Sequence, residues 1–477
     1  MSIAYPTPRR AAGLAASGLA VLLLAGCASF SQDGGFNSVA ATAKERLGKD
    51  VTWAKSEADQ DTIAKRVAEL LAKPLTVDDA VQLALLNNRG LQAAFAELAI
   101  SEADLVQAGR LPNPSFAMLR ASQPGPAGRE YKIEQAITFN LFSLVTMPQA
   151  SAIEQRRFEQ TQRMVSLEML RLASETRKAY YTAVAADESV RYAKQVRQAA
   201  EASAELARRM AQVGNFNKLQ QAREQGFYAD AALNLARAEQ VAVSSHEKLT
   251  RLLGLWGQQT QFTLPERLPD LPQTPNELPN VEQMAMAQRL DVQAARLQSE
   301  ALAKNLGLTK TTRFINVLEF GPARVLEGTA DAGYKKGYEV SFELPLFDWG
   351  TAKVAKAEAL YMQSVNIAAQ TAINARSEVR EAYQGYRSSY DIARHYRDEI
   401  VPIKKRISEE NQLRYNGMLI GVFDLLADAR TQITSVNSYI EALRDFWTAQ
   451  ADLEMALIGK PSLTQPKAGM TAASNAD

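Results

Sequence analysis

A chain of 477 residues with 54 basic and 53 acidic side chains has a formal net charge of +1, so no cationic surplus is on offer to a nucleic acid. Its single cysteine, Cys27, excludes an internal disulfide and a multi-thiolate metal site, and its two histidines, His246 and His395, each sit among charged neighbours in helical stretches. No GxSxG, HExxH, Walker loop or GxGxxG falls in a suitable context, so the sequence predicts no enzyme, no cofactor and no metal site.

At the N-terminus, Arg9 and Arg10 precede an uncharged run from Ala11 to Ala25 that ends in Leu24-Ala25-Gly26-Cys27. A basic start, a short apolar region and small residues before a cleavage point form an export signal, too short and too weakly apolar for a spanning helix. LAGC resembles a bacterial lipobox, in which the cysteine becomes the first mature residue and carries lipid. The resemblance makes residues 1–26 a lipoprotein signal peptide, Cys27 the lipidation site and 27–74 an N-terminal anchor segment. Ala28 and Ser29 stand where an aspartate would favour inner-membrane retention, which implies delivery to the outer membrane.

The remaining chain repeats itself. Val81 to Ala94 recurs loosely as Glu282 to Ala295, Gly214 to Arg223 finds an echo in Gly417 to Arg430, and Leu253-Gly254 in Ile458-Gly459. A repeat this long is a duplicated half, giving repeats over 75–256 and 281–460. Between them lies 257–280, whose five prolines mark a linker, and 461–477 forms a tail.

Each half is expected to hold a helix (Val77 to Arg110, then Val281 to Thr311), an extended region, a long helix (Met147 to Val213, then Thr351 to Asn416), a break at Gly214 or Gly417, and a last helix. At about 1.5 Å per residue each long helix spans on the order of 100 Å, matched by the two shorter ones stacked end to end, so the chain reads as a rod. Val379, Tyr383, Tyr386, Tyr390, Ala393, Tyr396, Ile400, Ile403 and Ile407 fall in steps of three and four, a helix-packing seam, and Pro402 should bend that helix.

The extended regions have a period of two. Tyr338, Val340, Phe342 and Leu344 alternate with Glu339, Ser341 and Glu343; Tyr131, Ile133, Ile137, Phe139 and Leu141 alternate with Lys132, Glu134, Ala136, Thr138 and Asn140. Ser115 to Ser122 and Asn316 to Phe320 are the candidate partners that precede them. Such alternation suits a membrane barrel, with Tyr338, Val340, Phe342, Ile137 and Phe139 toward lipid and Glu339, Ser341, Glu343, Lys132 and Glu134 toward the lumen. Four strands cannot close a barrel, so several copies must share one.

With these features in order, the sequence resembles the TolC-like outer-membrane efflux proteins. The marks are Asn87-Asn88-Arg89-Gly90-Leu91, Arg110 to Phe116, Leu344-Pro-Leu-Phe-Asp-Trp-Gly350, Arg414-Tyr-Asn-Gly417 and Asp424 to Arg430. The resemblance implies a mainly α protein with a membrane β-barrel: a homotrimer in which an α-helical barrel is topped by a shared twelve-stranded β-barrel. It also implies the channel component of a tripartite efflux or export system. Such a channel sits in the outer membrane, lipid-anchored and barrel-inserted, with its helical tunnel in the periplasm. A periplasmic adaptor and an inner-membrane pump hand it substrate; drug, metal ion, solvent and peptide stay open. A periplasmic adaptor or coiled-coil structural lipoprotein would share the signal, anchor and helices but not two alternating strand pairs.

The same resemblance places a periplasmic gate at the glycine turns. Asp424 matches a gate aspartate, Asp428 stands near a second, and one extra residue separates Gly417 from Asp424. Tyr415 matches a tyrosine that helps lock the closed tip. Lys218 replaces its aspartate acceptor, so the lock is expected to differ, with Lys218 reaching toward Asp424. The alternative for the two aspartates is a solvated helix face near Arg414 and Arg430.

Overall fold

The structure, a computed structural model, describes residues 28–461 except 127 and 316. Cys27, the signal sequence, Asn316 and the tail beyond 461 lie outside the described residues. The chain forms two compact units, which cut across the two sequence halves because each half contributes to both. One comprises the described part of Met1–Asn37 with Ala96–Arg163 and Gln293–Thr371; the other comprises Ser38–Phe95, Met164–Val292 and the described part of Ala372–Asp477.

Two helices, α1 (Phe36–Leu47) and α2 (Glu57–Leu71), occupy most of the segment expected only as an anchor. Ser56 and Asp59 cap α2 reciprocally, and Ile63, Val67 and Leu70 bury one stripe of it. The first repeat then runs α3 (Val77–Asn87), α4 (Arg89–Ala108), β1 (Ser115–Gly125), β2 (Gly128–Asn140), α5 (Leu141–Gln212) and α6 (Lys218–Leu253). The second runs α7 (Val281–Gln288), α8 (Leu290–Thr312), β3 (Leu318–Gly328), β4 (Lys335–Phe342), α9 (Thr351–His395), a π-turn at Tyr396–Ile400, α10 (Val401–Asn416) and α11 (Val422–Ile458).

The opening helix expected in each half is two helices. Asn88 and Arg289 adopt extended geometry at the breaks, and each side chain serves the end of the last helix of its own repeat. Asn88 Nδ2 donates to Leu252 O at 2.9 Å while its Oδ1 accepts from Leu91 N at 3.0 Å, capping α4. Gly254 closes α6 in the left-handed region, and a Cβ there would lie 2.7 Å from Asn87 O. Arg289, 1% exposed, donates to Ala456 O and Ala375 O and pairs with Asp291 at 2.6 Å and Glu378 at 2.7 Å. Burial opposes its charge, but the two carboxylates outweigh burial and hold its pKa above the ordinary value. The repeat thus keeps the kink and changes the chemistry that fixes it.

The tyrosine seam does more than pack. Val379, Tyr386, Tyr390 and Ala393 are buried, with Phe446 of α11 tilted against the Tyr386 ring and edge-on to the Tyr390 ring. Their hydroxyls also hold the proline-rich linker: Tyr390 donates to Gln273 O at 2.6 Å, and Tyr386 accepts from Asn276 N at 2.9 Å. Prolines leave a linker short of internal hydrogen bonds, and these phenols supply partners to its backbone. The seam stops short of its expected end: Ile403 and Ile407, which the spacing included in it, are exposed. The disturbance expected from Pro402 appears just ahead of it, where the ladder shifts register and Val401 N donates to Tyr396 O.

Candidate functional site

The four strands form one antiparallel sheet in the order β1-β2-β3-β4. Its strands exceed the expected bounds on β3, which runs through Pro322 to Gly328, and stop short on β4, which ends at Phe342 and leaves Glu343 and Leu344 outside. Asn140 closes β2 and also accepts from Ser143 N at 2.8 Å, which starts α5 at Leu141 instead of Met147. Pro322 is tolerated on an inner strand because the β2–β3 ladder opens there: pairing skips Ile137 and Thr138. Across that gap Gly321 lies so close to Ile137 O that no Cβ would fit.

The register decides which side chains share a face. Phe139 opposes Phe320, which opposes Val340; Phe116 opposes Ile137; Leu318 opposes Phe342. These residues and Tyr338 lie on one face of the sheet, with Tyr338 74% and Phe342 61% exposed. Lys132, Glu134, Glu319, Glu339 and Ser341 lie on the other, where Lys132 pairs with Glu134 at 2.8 Å. Toward the hairpin ends the apolar face gives way to Arg120, Ser122 and Arg324. Within the described chain β1 and β4 each have one unpaired edge.

The first described residues run back to the foot of this sheet. Ser31 N and Oγ both donate to the buried carboxylate of Glu102, at 2.7 and 2.5 Å, and Arg110 Nε donates to Ala28 O at 3.4 Å. Gly109 makes room, since a Cβ there would come within 2.7 Å of the Ala28 Cβ. Ala28 therefore sits beside the end of α4, just ahead of β1.

In the other unit, the two helix turns have matching geometry. Gly214 is left-handed (φ 79°), with Gly214 N bonded to Ala211 O and Asn215 N to Met210 O, which satisfies the last carbonyls of α5. The second turn makes the same pair of bonds, Met418 N to Tyr415 O and Leu419 N to Arg414 O, but its left-handed residue is Met418 (φ 59°), not Gly417. Counted from the left-handed residue the two turns have equal spacing: Gly214, Asn217 and Gln220 correspond to Met418, Gly421 and Asp424. Matching glycine to glycine hid this, because the second turn accepts a side chain where L residues are strained by about 1 kcal/mol or more.

Asp424 is the third residue of α11 and its carboxylate accepts from Gly421 N at 3.3 Å, the counterpart of Gln220 accepting from Asn217 N at 2.9 Å. Asp428 accepts from the Asn411 side-chain amide. Tyr415 is 40% exposed. Lys218 opens α6, exposed, and no ion pair joins it to Asp424 among the described residues. The expected Lys218–Asp424 contact does not form among the described residues; the Asp424 carboxylate instead accepts from its own N-cap backbone.

A cross-repeat contact forms instead at Glu224, which the sequence reading passed over. Glu224 is 2% exposed on α6; Arg430 of α11 donates to both its oxygens at 2.9 Å, and Ser203 Oγ of α5 donates to it at 2.7 Å. The Arg430 guanidinium lies 4.1 Å from the Phe227 ring centre. The only prior signal was a lone glutamate on a helix whose buried residues are otherwise Ala, Ser, Thr and Leu. Arg430→Met would strand a desolvated carboxylate, worth about 1 to 3 kcal/mol, and should loosen α11 from α5 and α6. Faster amide exchange along Val422–Ile458 near the turn, rescued by the added change Glu224→Gln, is the expected result; unchanged exchange would show the pair to be idle.

No protein-family model and no curated protein matches the chain. Solved structures do. CusC matches with a TM-score of 0.67 at 18% identity, over 80% of this chain and 92% of that one. The CmeC outer-membrane channel of Campylobacter jejuni matches with 0.66 at 17% identity, over 80% and 85%. The open-state MtrE outer-membrane channel of Neisseria gonorrhoeae matches with 0.66 at 17% identity, over 81% and 91%. The fold is that of the TolC-like outer-membrane channels.

Proposed function

We propose that this chain is the outer-membrane channel component of a tripartite efflux or export system. In this reading it passes substrate from a periplasmic adaptor and an inner-membrane pump to the exterior. The observation that carries the reading is the sheet: four strands with an exposed apolar face, a polar opposite face and two unpaired edges. Hydrocarbon offers no hydrogen bond to an open edge, so such a sheet is stable in a bilayer only when copies join β4 to β1 and close a barrel. Three copies give twelve strands, with Tyr338, Val340, Phe342, Ile137 and Phe139 toward lipid and Lys132, Glu134, Glu339 and Ser341 toward the lumen; Glu343, expected beside them, lies past the end of β4. The likeness to solved outer-membrane channels supports the same assignment; an adaptor or coiled-coil lipoprotein has no use for this sheet. Lipid on Cys27 suits the position of Ala28 at the foot of the sheet and would strengthen, not create, the attachment.

The turns at Gly214 and Met418 form the periplasmic tip, and Asp424 and Asp428 face the passage there in three-fold repetition, where rings of carboxylates favour cations. The test is conductance in planar bilayers under a salt gradient. The expected result is a cation-selective pore whose selectivity falls in Asp424→Asn/Asp428→Asn. A protein that inserts no pore would sink the channel reading; a pore with unchanged selectivity would return the aspartates to capping and solvation.

A further inference from the structure

The two faces of the sheet differ in the sign of their charge. Cross-strand partners share a face, so the register sorts the charged strand residues. Glu130, Glu134, Glu319, Glu327 and Glu339 all lie on the polar face, together with Lys132 and Lys335. Both lysines are paired there, Lys132 with Glu134 at 2.8 Å and Lys335 with Glu327 at 3.5 Å. The apolar face carries no acid within the strands. Its charges are Arg120, Arg129, Arg324 and Lys336, all exposed, and none of them forms an ion pair among the described residues.

These cations stand where the apolar band stops. The rise from Phe342 to Lys336 along β4 is about 20 Å, at about 3.4 Å per residue, close to the ~25 Å apolar band of a membrane barrel. Arg324 on β3 is the direct partner of Lys336. Arg120 stands one side-chain row further out on β1, opposite Ile133, and Arg129 lies outermost, opposite Pro124. Tyrosine rings accompany them: the Arg120 guanidinium is 5.8 Å from the Tyr131 ring centre and that of Arg324 is 4.9 Å from Tyr334. Arg324 Nε also donates to Gln135 Oε1 at 2.5 Å, which holds the guanidinium on this face. Like charges directly opposite one another weaken a sheet, and no carboxylate on this face offsets the Arg324–Lys336 repulsion.

We infer that this patch binds the phosphates of a lipid headgroup in the exterior leaflet of the outer membrane. It rests on the proposed reading of the sheet as a barrel wall with its helices in the periplasm, which puts the hairpin ends at the exterior interface. There the cations meet phosphate, the tyrosine rings lie at headgroup level, and acyl chains run along Tyr338, Val340 and Phe342. Each arginine offers a planar fork to two phosphate oxygens, Lys336 adds a point charge, and the bound anion relieves the repulsion between Arg324 and Lys336. Arg120 and Arg324 leave strands about 10 Å apart, two strand spacings, so a headgroup with two phosphates engages more of the patch than one with a single phosphate. A site for free phosphate has no use for the apolar band beside it.

The test measures lipid retention by the detergent-solubilised full-length protein, read by native mass spectrometry, with conductance recorded on the same preparations. The probe is lipid A, whose headgroup carries two phosphates, set against its monophosphoryl form and zwitterionic phosphatidylcholine. Wild-type protein should retain lipid A in preference to both. Arg324→Gln/Lys336→Gln should weaken retention on the order of thirtyfold, from about fivefold per cation near an anionic surface, with conductance unchanged. Arg324→Lys/Lys336→Arg should keep it, which guards against a folding defect. Lys335→Gln, one residue along on the other face, should leave it unchanged. Equal retention by wild type and the double glutamine variant, or an equal loss in Lys335→Gln, would overturn the site. Equal retention of the monophosphoryl form would overturn the preference for two phosphates. Displacement of the lipid by millimolar inorganic phosphate would overturn the lipid assignment in favour of a free-anion site. If conductance is intact while retention does not differ, the lipid site alone fails; if wild-type protein forms no pore, the barrel reading fails with it.

Discussion

Val340→Arg should abolish membrane assembly, whereas Ser341→Arg, one residue along, should be tolerated. Val340 opposes Phe320 and lies amid Phe139, Leu318 and Phe342, so its side chain leaves the sheet at the centre of the apolar face. An arginine facing hydrocarbon near mid-bilayer costs about 2 to 4 kcal/mol, and every copy sharing the barrel bears it again. Ser341 points to the face that already holds Glu339 and Lys132, where water can solvate the new charge. The comparison is read as heat-labile against heat-stable oligomer in extracted membranes. Equal assembly of the two variants would refute the facing assignment, and failure of Ser341→Arg alone would invert it.

The other large effect is expected at Arg289. Its side chain ties the break between α7 and α8 to α9 through Glu378 and Ala375 O, and to α11 through Ala456 O. Removing one member of a buried ionic cluster costs about 3 to 5 kcal/mol, because the remaining charges stay desolvated without a partner. Arg289→Met should lower the denaturant midpoint accordingly, monitored by the helical circular dichroism of the detergent-solubilised protein. Adding Asp291→Asn and Glu378→Gln should recover much of the loss, since neutral groups tolerate the site better than lone carboxylates. If Arg289→Met alone matches wild type, the cluster contributes no net stability. Asn88, its counterpart in the first repeat, makes a neutral cap and should be less costly to remove, about 1 kcal/mol.

Much of this protein was legible in the chain itself. Local patterns settle quickly: alternation over Tyr131–Leu141 and Tyr338–Leu344 dictates which residues share a sheet face, because a strand has only two. Helical spacing likewise located the buried stripe of Val379, Tyr386 and Tyr390. Self-comparison suggested the duplication and the turn regions, and five prolines suggested the linker. What the sequence did not disclose has a common cause: it depends on partners far along the chain. The kinks at Asn88 and Arg289 lie inside otherwise good helical patterns and exist because each side chain finds helix-end carbonyls at Leu252 O and Ala456 O. The left-handed residue at Met418 carries no glycine to announce it, and the fold imposes it by holding the helices on either side of the turn. Glu224 looks like any surface glutamate until Arg430 and Ser203 arrive from other helices to make its burial possible. Sequence periodicity determined faces and elements because those are set by neighbours in the chain. Tertiary structure alone decided which charges are buried and which backbone bends are kept, because the free energy of each is set by groups that only folding brings within reach.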